Sequence, residues 1–485
     1  MPTTSHHTLA SLQHAGHELN APFDIQLDGE PVWHCSQVLR MLPGRRVVLR
    51  LETKPGTAQA RAQTLVVKLF YRDKDYLRER EGYQHLIDQG IDTPEMLHHY
   101  QHPNGEQALV QYAFSSGQSL LQRWREAEGA EQPLAVLRSA VGTTAALHHA
   151  GLVQADIHLD NFLATGDRVQ VIDSASISAH ATPLERSTAL ENLALLLAQL
   201  PPRADNWTSL LWQHYVDAIG NPGFDSNALG HAVTRMRAQR WRHYRKKLFR
   251  ECTEFQCQQS FKRLLIQRRD ANNAALQQLL ADPDPFVDGG EILKRGNTAT
   301  VSRVTINGQR WVVKRFNLKG LGHALSRGLR PSRAWHYWSN AYRLRFDGIA
   351  TPLALAFMEE RAGPLRGRAF LVMESIEGTD LATALNIPSA SPCPVATLKR
   401  QVVEMFDGLY RSRLSHGDTK ASNLLVTAEG LQLIDLDSLR SHRHDAALKS
   451  ALRKDLDRFL RNWEGPLRTE FEALLAPFAK KLETL

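Results

Sequence analysis

His416-Gly417-Asp418-Thr419-Lys420-Ala421-Ser422-Asn423-Leu424-Leu425, followed by Leu433-Ile434-Asp435-Leu436-Asp437, decides how this chain is read. An aspartate precedes an asparagine by five residues, and two short apolar runs follow, the second closed by another aspartate. The pattern occurs twice. Asp156-Ile157-His158-Leu159-Asp160-Asn161-Phe162-Leu163 leads to Val171-Ile172-Asp173-Ser174, and 17 residues separate the two aspartates in both copies. Upstream, Val66-Val67-Lys68 recurs as Val312-Val313-Lys314, and Gly90-Ile91-Asp92-Thr93-Pro94 as Gly348-Ile349-Ala350-Thr351-Pro352. The offsets are 246, 258, 262 and 262 residues, so order is kept and spacing nearly so. A period this long predicts a duplicated domain, not a solenoid.

Each motif falls in a sensible local structure. Thr64 to Phe70 and Arg310 to Phe316 are β-branched apolar runs carrying one lysine near their centre, and read as strands. Arg78 to Gln89 has helical spacing and stops at Gly90, with Pro94 beyond. Ala135 to Ala150 and Leu398 to Leu414 read as helices leading into the two Asp-x-x-x-x-Asn loops. Phosphoryl transfer from ATP needs a cation on the α/β-phosphates, oxygen ligands for Mg²⁺ and a carboxylate to orient the acceptor hydroxyl. Lys68 and Lys314 are the candidate cations. Asp156 and Asp418 are the candidate bases. Asn161 with Asp173, and Asn423 with Asp435, are the candidate metal ligands. The five-residue offset is also that of the kinase catalytic loop.

These motifs resemble the kinase superfamily and, within it, the bacterial lipopolysaccharide-core sugar (heptose and Kdo) kinase family. The likeness covers Gly290 to about Leu460 well and Val47 to Ile177 more loosely. It implies an α+β fold of two tandem bilobal protein-kinase-like domains, at 23–225 and 283–485, joined by a basic helical segment at 226–282. Residues 1–22 form a polar lead-in. It also implies ATP and Mg²⁺ as cofactors, and transfer to sugar hydroxyls of the lipopolysaccharide inner core or a related phosphorylated glycolipid. The place would be the cytoplasm, peripheral at the inner-membrane face.

Some residues depart from the pattern. The first copy has Gln154-Ala155-Asp156, so the histidine that braces such loops is missing. Neither copy has a three-glycine nucleotide loop; Gly44 and Gly296 are the single-glycine substitutes. Glu79 or Glu81 can pair with Lys68 from the helix, whereas Arg315 to Phe346 holds no Asp or Glu to serve Lys314.

With 485 residues and 42 % hydrophobic content, the chain can fill two cores. Its four cysteines form no metal-type cluster, no apolar run reaches membrane-spanning length, and no signal-peptide core opens the chain. A net charge of +8 points to an anionic partner. The acid-free stretch carries Arg327, Arg330 and Arg333 beside Trp335 and Trp338, a candidate docking surface for an anionic acceptor or lipid headgroups. Lys420 is a candidate contact for the transferring phosphoryl. A second basic run, Arg235 to Arg250, is a candidate membrane contact. Neither run comes with a nucleic-acid-binding motif, so no nucleic acid is expected. Two other readings fit the same motifs: a soluble aminoglycoside- or choline-type phosphotransferase, and a non-enzymatic docking protein built on kinase folds.

Overall fold

The structure, a computed structural model, describes residues 6–17, 19–26, 32–53, 63–102, 107–129, 131–296, 298–317 and 331–484. The chain divides into two compact units: Met1–Gln199 with Asn206–Ala238, and Leu200–Asp205 with Gln239–Leu485.

The first unit opens with strands β1 (His6–Thr8), β2 (Phe23–Gln26), β3 (Val32–Leu42), β4 (Arg46–Thr53) and β5 (Thr64–Phe70). Helix α1 (Asp73–Asp88) and strands β6 (Met96–Gln101) and β7 (Ala108–Ala113) complete a seven-stranded sheet of order β1-β2-β3-β4-β5-β7-β6. Side chains alternate between the faces of a strand. Leu65, Val67 and Leu69 of β5 therefore enter a core with Leu12, Phe23 and Trp33, while Val66 and Lys68 face a cleft. Asp73 and Asp75 favour the start of α1 through the helix dipole. Gly90, at φ +65°, ends the turn beyond it. Below the sheet lie α2 (Glu131–His149), a three-stranded sheet of β8 (Gln118–Ser119), β10 (Phe162–Thr165) and β11 (Arg168–Val171), and the pair β9 (Leu152–Gln154) with β12 (Ile177–Ala179). Helix α3 (Ser226–Lys247) comes last, and the unit boundary falls within it, after Ala238.

The second unit repeats this plan. Strands β13 (Phe255–Gln259), β14 (Arg263–Arg268), β15 (Glu291–Arg295), β16 (Ala299–Ile306) and β17 (Gln309–Phe316) precede helix α4 (Arg333–Phe346). With β18 (Ala354–Ala362) and β19 (Leu365–Glu374) they form a sheet of order β13-β14-β18-β19-β17-β16-β15. The helical part has α5 (Val395–Arg411) and α6 (Asp445–Leu460), with Phe406, Phe459 and Phe471 packed between helices. Its small sheets are β20 (Thr379–Asp380) with β22 (Leu424–Thr427) and β23 (Gly430–Leu433), and β21 (Leu414–Ser415) with β24 (Arg440–Ser441).

Both seven-stranded sheets contain the same antiparallel five, β3-β4-β5-β7-β6 and β15-β16-β17-β19-β18, which is the α+β, bilobal kinase-like plan. They differ in growing at opposite edges: β1 and β2 lie beyond β3, whereas β14 and β13 lie beyond β18. The segment expected to be helical from 226 to 282 is helical only to Lys247 before the β13–β14 hairpin begins. There Leu264, Leu265 and Ile266 are buried, and the apolar demand of the sheet outweighs the helical, basic character of the preceding run. Residues 239–282 thus belong to the second unit. The polar lead-in contributes β1, which pairs parallel with β2.

Candidate active sites

Lys68 lies mid-strand in β5, opposite Val48 of β4 and Val110 of β7. It projects into a cleft of about 410 Å³. Its Nζ donates to Glu79 Oε1 at 2.6 Å and sits 3.6 Å from Asp173 Oδ1. Glu79 comes from α1 and is wholly buried, a placement tolerable only for a paired carboxylate. Tyr112 also donates to Glu79 Oε1, at 2.7 Å. Burial first, and the Glu79 charge second, push the Tyr112 phenol well above its ordinary range. Of the two expected partners, Glu79 meets Lys68, while Glu81 is an exposed neighbour of His85.

Asp173 follows β11 in the left-handed region, φ 64°. That conformation is uncommon outside glycine, asparagine and aspartate. Burial would raise its carboxyl, but Lys68 and Arg46, the latter at 3.2 Å, outweigh that and hold it below the usual carboxylate range. Asn161 Nδ2 donates to Asp156 O at 2.8 Å, which leaves the amide oxygen, an acceptor, available to a cation. Asp156 itself is exposed, and His158 lines the cleft.

The brace missing from the first copy is supplied by another residue type. In the second unit, buried His416 places Nε2 at 3.1 Å from Ile434 O and accepts the Asp418 N–H on Nδ1 at 3.3 Å. In the first, buried Gln154 donates Nε2 to Ile172 O at 2.8 Å. Both bonds tie the strand before the catalytic loop to the strand that ends in Asp173 or Asp435. The loops are anchored from behind by different groups. Asn192 donates to Gln154 O at 2.8 Å, and Asp455 of α6 accepts the His416 and Gly417 N–H groups at 2.7 and 2.8 Å. Burial raises the Asp455 carboxyl to about 6, against the lowering effect of those two N–H groups.

Lys314, only 5 % exposed, occupies the same place in β17 and faces a cleft of about 500 Å³. Its Nζ reaches Asp435 Oδ1 at 2.7 Å and Asp437 Oδ2 at 3.0 Å. Lys294 lies 3.2 Å from Asp435 Oδ2, and Arg333 closes on Asp437. Burial opposes ionisation of Asp435, but Lys314 and Lys294 win and lower its carboxyl to about 2. At the 258-residue offset, Tyr337 stands where Glu79 stands, and Lys314 Nζ lies 4.9 Å from its ring centroid. At the 262-residue offset, Asp437 stands where the first copy has Ala175. The carboxylate that pairs with the lysine comes from the helix in one unit and from the turn after β23 in the other. Although Arg315 to Phe346 holds no acid, Lys314 has carboxylate partners 121 and 123 residues away in sequence.

The remaining expected residues fall as follows. Asn423 Nδ2 donates to Asp418 O at 2.9 Å and to Oδ2 at 3.0 Å. Lys420 and Arg458 flank Asp418 Oδ1 at 3.6 and 3.1 Å. Gly296 lines the second cleft; Gly44, at φ +64°, makes the β3–β4 turn and is not in the lining of the first. Arg333 lines the nucleotide-sized cleft rather than a separate surface. Arg327 and Arg330 lie outside the described residues. Sequence reasoning missed Lys294, Arg46, Arg458 and Asp455, and quoted Asp437 without giving it a role. A second aspartate two residues after Asp435 was the available signal.

Among the described residues no cluster of three His, Cys, Asp or Glu side chains could hold a metal ion. Each unit instead offers one aspartate held ionised and one amide oxygen. Such a hard, incomplete oxygen set fits Mg²⁺, which takes its other ligands from water and substrate phosphates. That ion would neutralise charge on the transferring phosphate. A buried lysine on a strand, a left-handed aspartate beside it and an Asp–Asn loop under the same sheet define a kinase-like phosphotransferase with an alcohol group as acceptor.

Residues 278–476, within the second unit, match the model of the lipopolysaccharide kinase (Kdo/WaaP) family. The lipopolysaccharide core heptose(I) kinase WaaP of Pseudomonas aeruginosa is 26 % identical over 191 residues, 36 % of this chain and 71 % of that protein. A solved structure, WaaP in complex with acyl carrier protein, is 25 % identical, covering 44 % of this chain and 97 % of that one, with a TM-score of 0.28.

Proposed function

We propose that the chain transfers the γ-phosphoryl of ATP, with Mg²⁺, to sugar hydroxyls of the lipopolysaccharide inner core, and that both units are competent. The work would be done peripherally at the cytoplasmic face of the inner membrane. Among the described residues no helix is long and apolar enough to cross a membrane. The observation that carries the two-site reading is the paired lysine. Each copy buries its strand lysine against carboxylates although the two draw them from different elements. A decaying site would have no reason to keep both the charge and its compensation.

In this reading Asp156 and Asp418 orient the acceptor hydroxyl and receive its proton late. Lys68 and Lys314 hold the α/β-phosphates, and Asn161 with Asp173, and Asn423 with Asp435, hold the metal. Lys420 and Arg458 supply positive charge beside Asp418, where a phosphorylated acceptor would arrive. Little covalent work falls to the protein, and positioning with charge stabilisation provides the rate. The test is phosphoryl transfer from labelled ATP to phosphate-stripped lipopolysaccharide core by Asp156→Asn, Asp418→Asn and the double variant. Two sites predict partial loss in each single variant and complete loss in the double. If Asp418→Asn alone removes all transfer and Asp156→Asn changes nothing, the first unit is a scaffold.

A further inference from the structure

Two hairpin turns are fastened side by side at one end of the second unit's large sheet. Arg361 N–H donates to Lys262 O at 2.7 Å, and Gly363 N–H to Phe261 O at 2.9 Å. Between them stands Phe261, 73 % exposed, the most exposed large hydrophobic residue described; Leu365, at 41 %, is on the neighbouring turn. The Phe261 ring rests over Gly363, where a Cβ would come 2.9 Å from Cε2 and where φ is +61°. The apolar tip is thus presented by a hydrogen-bonded double turn. Strand β19 runs from Leu365 at the tip to Glu374 at the cleft, which at about 3.3 Å per residue separates the two by about 30 Å. The tip is no part of the nucleotide site.

A second feature belongs to the same unit. Arg242, Arg245 and Lys246 of α3 line a cavity of about 530 Å³ with Phe249 and Trp335, and no carboxylate lines it. Trp335 stacks on Phe249 at 4.4 Å and 13°, and Arg245 lies 5.3 Å from the Trp335 centroid. Buried Glu359 neutralises Arg361 and Arg366 of the hairpin at 2.9 and 3.7 Å; Arg242, Arg245 and Lys246 have no ion pair among the described residues. His336 stands edge-on to Trp335, with ring centroids 5.2 Å apart. Its imidazole is held below the ordinary value by burial, then by Arg245 from the cavity and Arg366 from the tip.

We propose that this face docks the second unit on an anionic phospholipid bilayer, with Phe261 and Leu365 in the interfacial zone and Arg242, Arg245 and Lys246 on lipid phosphates. It deepens the peripheral-membrane part of the function above and rests on it for its purpose. Aromatic side chains favour the interfacial zone, and basic residues near an anionic leaflet each contribute about fivefold in affinity.

The test is co-sedimentation of the full chain with phosphatidylcholine vesicles, with and without a third of phosphatidylglycerol. Wild type is expected to prefer the anionic vesicles and to release as salt rises. Arg242→Gln/Arg245→Gln/Lys246→Gln should weaken binding by about 100-fold. Phe261→Ser should weaken it by about tenfold and Phe261→Trp should preserve it. Thermal melting and nucleotide binding check that each variant is folded. Equal sedimentation of all variants, or no anionic preference in wild type at low salt, overturns the proposal. If vesicle binding behaves as stated while no transfer to lipopolysaccharide core is seen, the docking face stands and the acceptor assignment falls.

Discussion

Asp437→Asn tests the relocated lysine partner most directly. The substitution keeps the side-chain volume and removes one charge 3.0 Å from Lys314 Nζ. Breaking a buried ion pair by removing one partner costs about 3–5 kcal/mol when the other charge is stranded. Lys314 is not stranded, because Asp435 remains at 2.7 Å, and Arg333, 42 % exposed at its side chain, can rehydrate. The cost should therefore be about 1–2 kcal/mol, less than half the full penalty. For a unit of this size that lowers Tm by about 3–6 °C. If the same energy is lost from phosphate positioning, kcat/KM for ATP falls about 5- to 30-fold. The assay is transfer by a chain whose first site is silenced with Asp156→Asn. A role as metal ligand would give a similar loss, so the discriminating variant is Tyr337→Glu/Asp437→Asn, which returns a carboxylate to the helix position that Glu79 holds in the first unit. Partial recovery is expected from a lysine partner and none from a metal ligand. Unchanged Tm and kcat/KM in Asp437→Asn would refute the argument.

Gln154→Ala should destabilise the first unit by about 1–3 kcal/mol, since it strips a buried carbonyl of its donor; Gln154→His should stay close to wild type in thermal melts. Nucleotide binding followed by calorimetry with Mg²⁺ should show two sites per chain, and Lys68→Ala or Lys314→Ala should each reduce this to one. The folded Asp455 carboxyl, at about 6, lies above its value of 3.8 in the unfolded chain, so the folded state holds the proton more tightly. Its stabilising contribution is full below 3.8 and is lost as pH rises through 6. Between about pH 4 and pH 7 the stability difference between wild type and Asp455→Asn should fall by about 2 kcal/mol, measured by denaturant melts; a constant difference would contradict the placement of Asp455.

What the sequence made legible was whatever repeats locally. Lysine in a β-branched run, the Asp-x-x-x-x-Asn loop and the aspartate closing the next strand each lie within a few residues of the element that positions them. The five-stranded order follows from strands that are near neighbours in the chain. What stayed hidden depends on contacts across long separations. No local pattern links Lys314 to Asp437, and the expectation of a helix glutamate looked for the charge in the wrong element. Gln154 was read as a deficit because residue type was compared; its amide reaches the same carbonyl that an imidazole would. The β13–β14 hairpin was hidden by the basic run of α3, whose helical character was carried past its actual end at Lys247.

The opposite growth of the two large sheets anchors the two corresponding hairpins differently. In the first unit β3, root of the hairpin beside the cleft, is interior: β2 pairs with it over Val32 to Cys35, and β4 on its other side. In the second unit the corresponding strand, β15, is the rim of its sheet and pairs only with β16. Peeling an interior strand breaks two ladders and a rim strand one, so local opening is cheaper at β15. Amides of Glu291–Arg295 should exchange with solvent sooner than those of Val32–Cys35. Lys294, which rides on that rim, moves with it. The extra ladder stops short of the first cleft: Leu39 and Arg40, which line it, lie beyond Cys35 where β3 has β4 alone beside it, so the added strand steadies the far end of that hairpin.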